Sequence, residues 1–306
     1  MSSSPLAHTD GRQLDPDEEF DTEYFARLSS IQEHWWVVGM RDAVKAVLGP
    51  IGSGLDVLDL GSGSGTNLPW LATMTAGGSL HATDIAQSAV ERSAARGLTR
   101  SVTRSSMAAL PYRDGSFDLV VSIDVLQHLT RDQLGSALAE VSRVLKPDGR
   151  LVIRVNGDSF RSGIPERPDW RLYNPDRLQT DLTAAGFSVQ RVTYASGVSA
   201  VMSLLKRPSL ALRRLLARGD GEGEGEGEAD NGHSHPHGGH ADGRTDAEQR
   251  AGLGIPNRSS RWTEALGSRL LAAENRYLAS PSRQLAFGHA VIAVARPPAA
   301  AGKESA

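Results

Sequence analysis

Residues 55–66 read LDVLDLGSGSGT, an apolar run carrying Asp56 and Asp59 that ends in glycines at 61, 63 and 65. A buried strand that breaks into alternating glycines exposes bare backbone where other loops carry side chains. The chain can then turn sharply, and a ligand can touch the main chain. In open α/β sheets the C-terminal edge of the strands is the general ligand position. A strand this apolar also needs neighbours on each side and helices over both faces, which constrains the rest of the chain.

The neighbours follow at a regular pace. SLHATDI (79–85), a weaker stretch at 101–105, FDLVVSID (117–124), PDGRLVIRV (147–155), FSVQRVTYA (187–195) and FGHAVIAVAR (287–296) all read as strands. Helical patterns lie between them, starting near Thr66 and at 86–97, 130–146 and 175–186. Thr130 and Gln133 have capping-box spacing, while Asn174 and Pro175 form a cap and first helical position. The chain is predicted to be α/β: a doubly wound, seven-stranded, mostly parallel sheet with an N-terminal helical cap and an insertion before the last strand.

Segment boundaries follow from composition. Residues 1–20 read as a disordered leader and 21–54 as the cap, helical from Glu19 to Leu48 and carrying IQEHWWVVGMRDAVKAVL (31–48). The core is assigned to 55–197 and 285–297, and 298–306 to a disordered tail. The insertion, 198–284, is expected to hold helices near 198–217 and 260–280. Between them lies a disordered loop rich in Gly, Glu and His at about 218–254.

Bulk properties remove several function classes. A net charge of −3 over 306 residues gives no reason to expect a nucleic-acid surface. No apolar run is long enough for a membrane span. The absence of cysteine excludes disulfides, a thiolate nucleophile and Cys-ligated zinc. The polar start lacks the basic and apolar regions of a signal peptide, which fits a cytoplasmic protein. His233, His235, His237 and His240 could share a transition metal. In so Gly-rich a tract adventitious binding is the expectation, and no metal is assigned. Oligomeric state is left open.

The glycine loop is not the dinucleotide fingerprint GxGxxG, because the third position falls on Thr66. Asp84 ends the next strand, where an acid can accept hydrogen bonds from a ribose diol. That pairing suits NAD and S-adenosylmethionine equally.

Four segments in order carry a family resemblance: DLGSGSG (59–65), ATD (82–84), SSMAALPYRDGSFDLVVSIDVLQHL (105–129) and EVSRVLKPDGRLVIRV (140–155). They resemble the successive motifs of class I S-adenosylmethionine-dependent methyltransferases, a Rossmann-like fold, and in particular the type 11-like small-molecule group. EHWWVVGMRDAV (33–44) is similar to that group's N-terminal helix. The resemblance implies S-adenosyl-L-methionine as cofactor and a cofactor site. Gly61, Ser62, Gly63 and Gly65 would pass beneath its methionine part, with Asp59 on the amino group. Asp84 and Ile85 would meet the ribose. Ser106 stands where many relatives have an acid for the adenine, leaving Met107 to support the base. Asp124 would lie near the sulfonium.

Methyl transfer from a sulfonium is an in-line displacement, so alignment and water exclusion matter more than a nucleophilic triad. His128 is the candidate base or acceptor-orienting group, or else a histidine bonding a neighbouring loop. Trp35 and Trp36 offer aromatic faces to an acceptor, though adjacent helical residues diverge by about 100°, so one belongs to the core. Trp170 and Tyr173 fall at the acceptor-facing edge or pack the rim. The expected acceptor is a small molecule methylated at O, N or C, hydrophobic or a secondary metabolite. Two other readings stay open. A nicotinamide-dependent oxidoreductase is disfavoured by Thr66 and by the lack of a Tyr-x-x-x-Lys pair. A non-catalytic S-adenosylmethionine-binding regulatory module is mildly favoured by Ser106, while the intact DLGSGSG and Asp84 count against it.

Overall fold

A computed structural model describes residues 6–7, 13–14, 17, 25, 31, 33–159, 171–202 and 261–299. The chain divides into two compact units, Met1–Ala200 with Arg258–Ala306, and Val201–Asn257. Only Val201 and Met202 of the second unit are described. The His-rich tract, Trp170 and most of the expected first insertion helix lie outside the described residues.

Two short strands, β1 (Leu6–Ala7) and β2 (Gln13–Leu14), pair antiparallel within the segment expected to be a disordered leader. The main unit then runs α1 (Trp35–Leu48), β3 (Val57–Leu60), α2 (Leu68–Ala72), β4 (Leu80–Asp84), α3 (Gln87–Ala95), β5 (Ser101–Arg104) and β6 (Phe117–Ile123). It continues with α4 (Arg131–Val144), β7 (Leu145–Asn156), α5 (Pro175–Ala184), β8 (Ser188–Ala195), α6 (Arg261–Leu278) and β9 (Ala290–Arg296). The strands β3 to β9 form one seven-stranded sheet in the order β5-β4-β3-β6-β7-β9-β8, parallel except for β9. The order reverses between β3 and β6, which opens a crevice beyond their C-terminal ends.

Both faces are covered. Every residue of β3 is buried. One face packs on Leu134, Leu138 and Val141 of α4 and on Leu178 and Leu182 of α5. The other packs on Val44 and Val47 of α1, Leu68 and Leu71 of α2, and Leu278 of α6. The helix starts expected from sequence are present. Thr130 Oγ1 accepts from Gln133 N while Gln133 Oε1 accepts from Thr130 N, and Asn174 Oδ1 accepts from Arg177 N.

Two sequence expectations change. Helix α1 does not extend back to Glu19 as one piece. His34 is extended (φ −65°, ψ 135°) and its ring accepts from Trp36 N, so α1 starts at Trp35. A side-chain acceptor satisfies an orphan N–H and ends the helix where the periodic pattern alone would have continued it. The helix expected at 260–280 forms as α6 but belongs with the core. Its Glu274 accepts from Ser196 N (2.6 Å) and Val198 N (2.9 Å), just beyond β8.

Candidate active site

The loop after β3 is held in a tight crank. Gly61, Gly63 and Gly65 have φ of 78°, 52° and 70°. Gly61 also lies against the loop after β6: a Cβ there would come within 2.3 Å of Val125 Cγ2. Neighbouring groups fix the outer side of the loop. Gly61 N and Ser62 N donate to Thr83 O, Ser93 Oγ donates to Gly63 O (3.1 Å), and Arg96 Nε donates to Ser64 O (2.8 Å). Ser62 Oγ shares a hydrogen bond with Ser93 Oγ (2.9 Å), which draws the loop onto α3.

Two acids flank this loop, in different states. Asp84 Oδ2 accepts from Gly63 N (2.8 Å) and Oδ1 from Ala86 N (3.0 Å). Burial raises its pKa, and those backbone donors oppose the rise. Each carboxylate oxygen retains capacity for a second donor, so a diol can still bind. Asp59 is 1% exposed, and neither of its oxygens has a hydrogen-bond partner among the described residues. Burial, reinforced by the charge of Asp84, pushes its carboxyl up to about 7. An orphaned buried carboxyl is costly unless a donor arrives. The ammonium group of S-adenosylmethionine is such a donor, and the open glycine backbone leaves room for the adjoining chain; the residues present therefore fit that cofactor.

The remaining candidates are spread along the same edge. Ile85 O accepts from Arg104 Nε (3.0 Å). Ser106 Oγ accepts from Ala108 N (3.2 Å) and is half-buried, but Met107 places its side chain in the core, leaving only its backbone for a base. Asp124 follows β6 with φ of 60° and pairs with Arg154. His128 ends a 3-10 turn, Leu126–His128, and burial pushes its imidazole down to about 4. It is therefore neutral at neutral pH, but so weak a base offers little driving force for proton abstraction.

Of the aromatic candidates, Trp35 and Trp36 are both half-buried at the start of α1. Tyr173 is fully buried in the core, its ring flanked by the guanidinium groups of Arg171 (5.8 Å) and Arg177 (5.3 Å). It cannot present its ring to an acceptor as expected, because Tyr173 N bonds back to Asn156 O and draws the segment in beside β7.

Several residues at this edge carried no sequence signal. Arg154, 3% exposed within β7, reaches Asp124 on one side and Met40 Sδ of α1 (2.7 Å) on the other. Gln127 Oε1 accepts from Asn156 N and Gln127 O from Arg171 N, joining the loops after β6 and β7. From the N-terminal segment, Asp17 accepts from Gln87 N (2.7 Å) and pairs with Arg104 (2.8 Å). Phe25 packs on Ala86, Ala89 and Gly63. A buried arginine in a strand could have been flagged by its company of apolar residues; the other pairings exist only once the strands stand side by side.

Residues 58–153 match the family model described as a methyltransferase domain. The chain is 33% identical over 175 residues to the malonyl-[acyl-carrier protein] O-methyltransferase of Geobacter sulfurreducens, covering 49% of this chain and 64% of that protein. It is 36% identical over 110 residues to the methyltransferase GfsG of Streptomyces halstedii, covering 34% and 38%. The chain thus spans less than two thirds of the length of these relatives. Among solved structures it is similar to the [4+2]-cyclase SpnF (TM-score 0.55, 19% identity, 97% of this chain and 99% of that one). It is also similar to a Haemonchus contortus phosphoethanolamine N-methyltransferase bound to S-adenosylhomocysteine (TM-score 0.54, 15% identity, 92% and 59%). At such identities these structures speak to fold alone, and one is named for a cyclisation. The matched domain, the sheet order and the loop with its two acids together show that residues 58–153 form a methyltransferase domain on a Rossmann-like sheet.

Proposed function

We propose that the protein transfers the methyl group of S-adenosylmethionine to a small-molecule acceptor at oxygen, nitrogen or carbon. The observation that carries this reading is Asp59: buried, unpartnered among the described residues, and set beside a glycine loop at the switch point of the sheet. Bound there, the cofactor supplies an electrophilic methyl on a positive sulfur. Asp59 holds the ammonium group, Asp84 and Ile85 meet the ribose, and Ser106 with the Met107 backbone meets the base. Gly61, Ser62, Gly63 and Gly65 line the methionine part, and Asp124 supports the sulfonium end. His128, neutral and partly buried, orients the acceptor as a hydrogen-bond partner rather than removing its proton. The half-buried pair Trp35 and Trp36 contributes apolar surface to the acceptor side.

Thermal unfolding with S-adenosylmethionine, S-adenosylhomocysteine and NAD(H), each in excess, tests the reading. A ligand at a hundredfold excess over its Kd stabilises by about 2.7 kcal/mol. Stabilisation is expected with the first two; stabilisation by NAD(H) alone would overturn the reading in favour of an oxidoreductase. Asp84→Ala is expected to weaken S-adenosylhomocysteine binding, and unchanged affinity would remove the site assignment. Ser106, already engaged by Ala108 N, provides no acidic partner for adenine. Cofactor binding without turnover on a broad acceptor panel would therefore favour the regulatory reading.

A further inference from the structure

Helix α6 carries two rows of residues along its length, and one of them is packed. Gly267 lies against Trp35 and Leu271 against Gly39, Asn275 Nδ2 donates to Gly39 O (2.9 Å), and Leu278 joins Val47 in one apolar cluster. The other row is Trp262, Leu266, Leu270, Ala273 and Tyr277, whose spacing of three or four residues puts all five on one face. Its large members are 86%, 59%, 42% and 40% exposed, in that order. Single exposed leucines are ordinary on a protein surface, but a continuous helical row headed by an indole marks a contact.

The charges beside this row are of one sign. At about 100° per residue, Arg269 and Arg276 fall along its flank, and both are exposed. Arg283, exposed in the turn after α6, lays its guanidinium over the Tyr277 ring (4.9 Å). The helix has two acids, and both are turned elsewhere. Glu274 accepts from Ser196 N and Val198 N, and Glu264 lines the seam with α1 beside Trp35 and Asp42. The whole chain carries a net charge of −3, so the arginines are a local feature and not a reflection of bulk charge.

The occupant of this face must supply apolar depth and negative charge together. From Trp262 to Tyr277 the row is about 22 Å long and about 10 Å wide, so it offers on the order of 200 Å². A stable protein partner needs roughly 800 Å² per side. A lipid surface has no such threshold, because its binding adds apolar insertion to attraction for anionic headgroups. Indole and phenol rings suit the headgroup level, and leucines the acyl boundary below it. We propose that the outer face of α6 binds an anionic membrane surface, with Trp262, Leu266, Leu270 and Tyr277 toward the acyl chains and the three arginines on lipid phosphates. The placement bears on the site. Arg150 and Arg154 of β7 reach Leu48 O and Met40 Sδ, so α1 runs against that strand and starts at its C-terminal edge. Helix α6 runs beside α1 in the same direction, which puts Trp262 at the edge that carries the glycine loop. A bilayer held there gives a lipid-dissolved acceptor a short path to the crevice. That consequence rests on the methyl-transfer reading above; the lipid contact does not.

Flotation of the full chain with lipid vesicles tests the proposal. Vesicles of equal phosphatidylcholine and phosphatidylglycerol are expected to bind the protein at least about tenfold better than phosphatidylcholine alone. Most of that binding is expected to be lost at about 0.5 M salt. Arg269→Gln combined with Arg276→Gln is expected to weaken binding to the mixed vesicles by about tenfold or more. Leu266→Ser combined with Leu270→Ser is expected to weaken it by a similar factor. Because both leucines are exposed, that variant is expected to keep a melting temperature close to wild type and an unchanged S-adenosylhomocysteine affinity. Brominated acyl chains are expected to quench the wild-type indole fluorescence, and less so after Trp262→Phe. Equal binding to both vesicle types, no binding to either, or binding indifferent to both double variants would overturn the proposal. A dimer in sedimentation that the leucine variant dissociates, without vesicle binding, would assign the face to a second copy of the chain instead. Vesicle binding with the expected responses but no S-adenosylhomocysteine binding would keep the membrane contact and remove the methyl-transfer reading.

Discussion

Asp59 and Asp84 sit at the ends of adjacent parallel strands, and the charge of Asp84 adds to burial in pushing the Asp59 carboxyl up to about 7. The two differ in their donors: Gly63 N and Ala86 N serve Asp84, and no donor among the described residues serves Asp59. Between about pH 4 and pH 7 the folded protein therefore holds a proton on Asp59 that the unfolded chain has released. Stability from this group falls as pH rises through that window, by an amount on the order of a few kcal/mol. Asp59→Asn is expected to raise the melting temperature of the ligand-free protein at pH 8, to change it little at pH 5, and to weaken S-adenosylhomocysteine at least about tenfold. Equal destabilisation at both pH values would show that Asp59 is not an orphaned acid.

Arg154 and Asp124 make the opposite kind of pair. Arg154 is buried within β7, while the Asp124 side chain is 33% exposed at the crevice. Removing the acid leaves a guanidinium in the sheet, and the cost of breaking a buried pair, discounted for the exposure of Asp124, is about 2–3 kcal/mol. Replacing the arginine instead removes the buried charge beside the Met40 sulfur. Denaturant unfolding is expected to show Asp124→Ala strongly destabilised and Arg154→Met close to wild type. Strong destabilisation by both would mean that the guanidinium contributes more than this pair.

The asymmetry between these pairs matches what could be read before the structure. Gly61 to Gly65 and Asp84 were legible because a loop and the end of the next strand are fixed by the linear spacing of a βαβ unit. Arg154, Gln127 and Asn275 act across the sheet or between helices, joining residues as far apart as Gly39 and Asn275. No period or motif in one segment encodes such a partner. His34 illustrates a local failure: the apolar pattern runs through it, and only a side-chain hydrogen bond to Trp36 N starts the helix there. Tyr173 is misplaced for a related reason: an aromatic in a loop reads as acceptor-facing edge or rim until its bond to Asn156 O shows the loop folding back on β7.

His128 provides a pH signature that separates the two roles open to it. Its imidazole is held down at about 4 by burial, below its unfolded value near 6.5. The unfolded chain thus binds a proton that the folded one does not, and this contribution to stability is lost as pH falls from about 6.5 toward 4. The His128 ring resonances in a proton–carbon NMR titration are expected to stay constant from pH 8 to pH 5.5. Replacement by Gln, which keeps a hydrogen-bonding group, is expected to preserve S-adenosylhomocysteine affinity. A midpoint between pH 6 and pH 7.5 would restore the general-base reading.

The contact of Gly61 with Val125 decides whether the loops after β3 and β6 move as one body. Gly61→Ala meets two penalties: a left-handed φ of 78°, worth about 1–2 kcal/mol to a residue with a Cβ, and a Cβ within 2.3 Å of Val125 Cγ2. Val125 is β-branched, so its methyl cannot swing aside cheaply. Val125→Ala removes the second penalty and leaves the first. A double-mutant cycle is therefore expected to show favourable coupling: Gly61→Ala costs about 2–4 kcal/mol alone but about 1–2 kcal/mol in the Val125→Ala background. S-adenosylhomocysteine binding is expected to weaken in Gly61→Ala and to recover in part in the double variant, because the loop regains its path. Strict additivity in stability would mean that the two loops do not touch, and the crevice would then lose the wall that Val125 gives it.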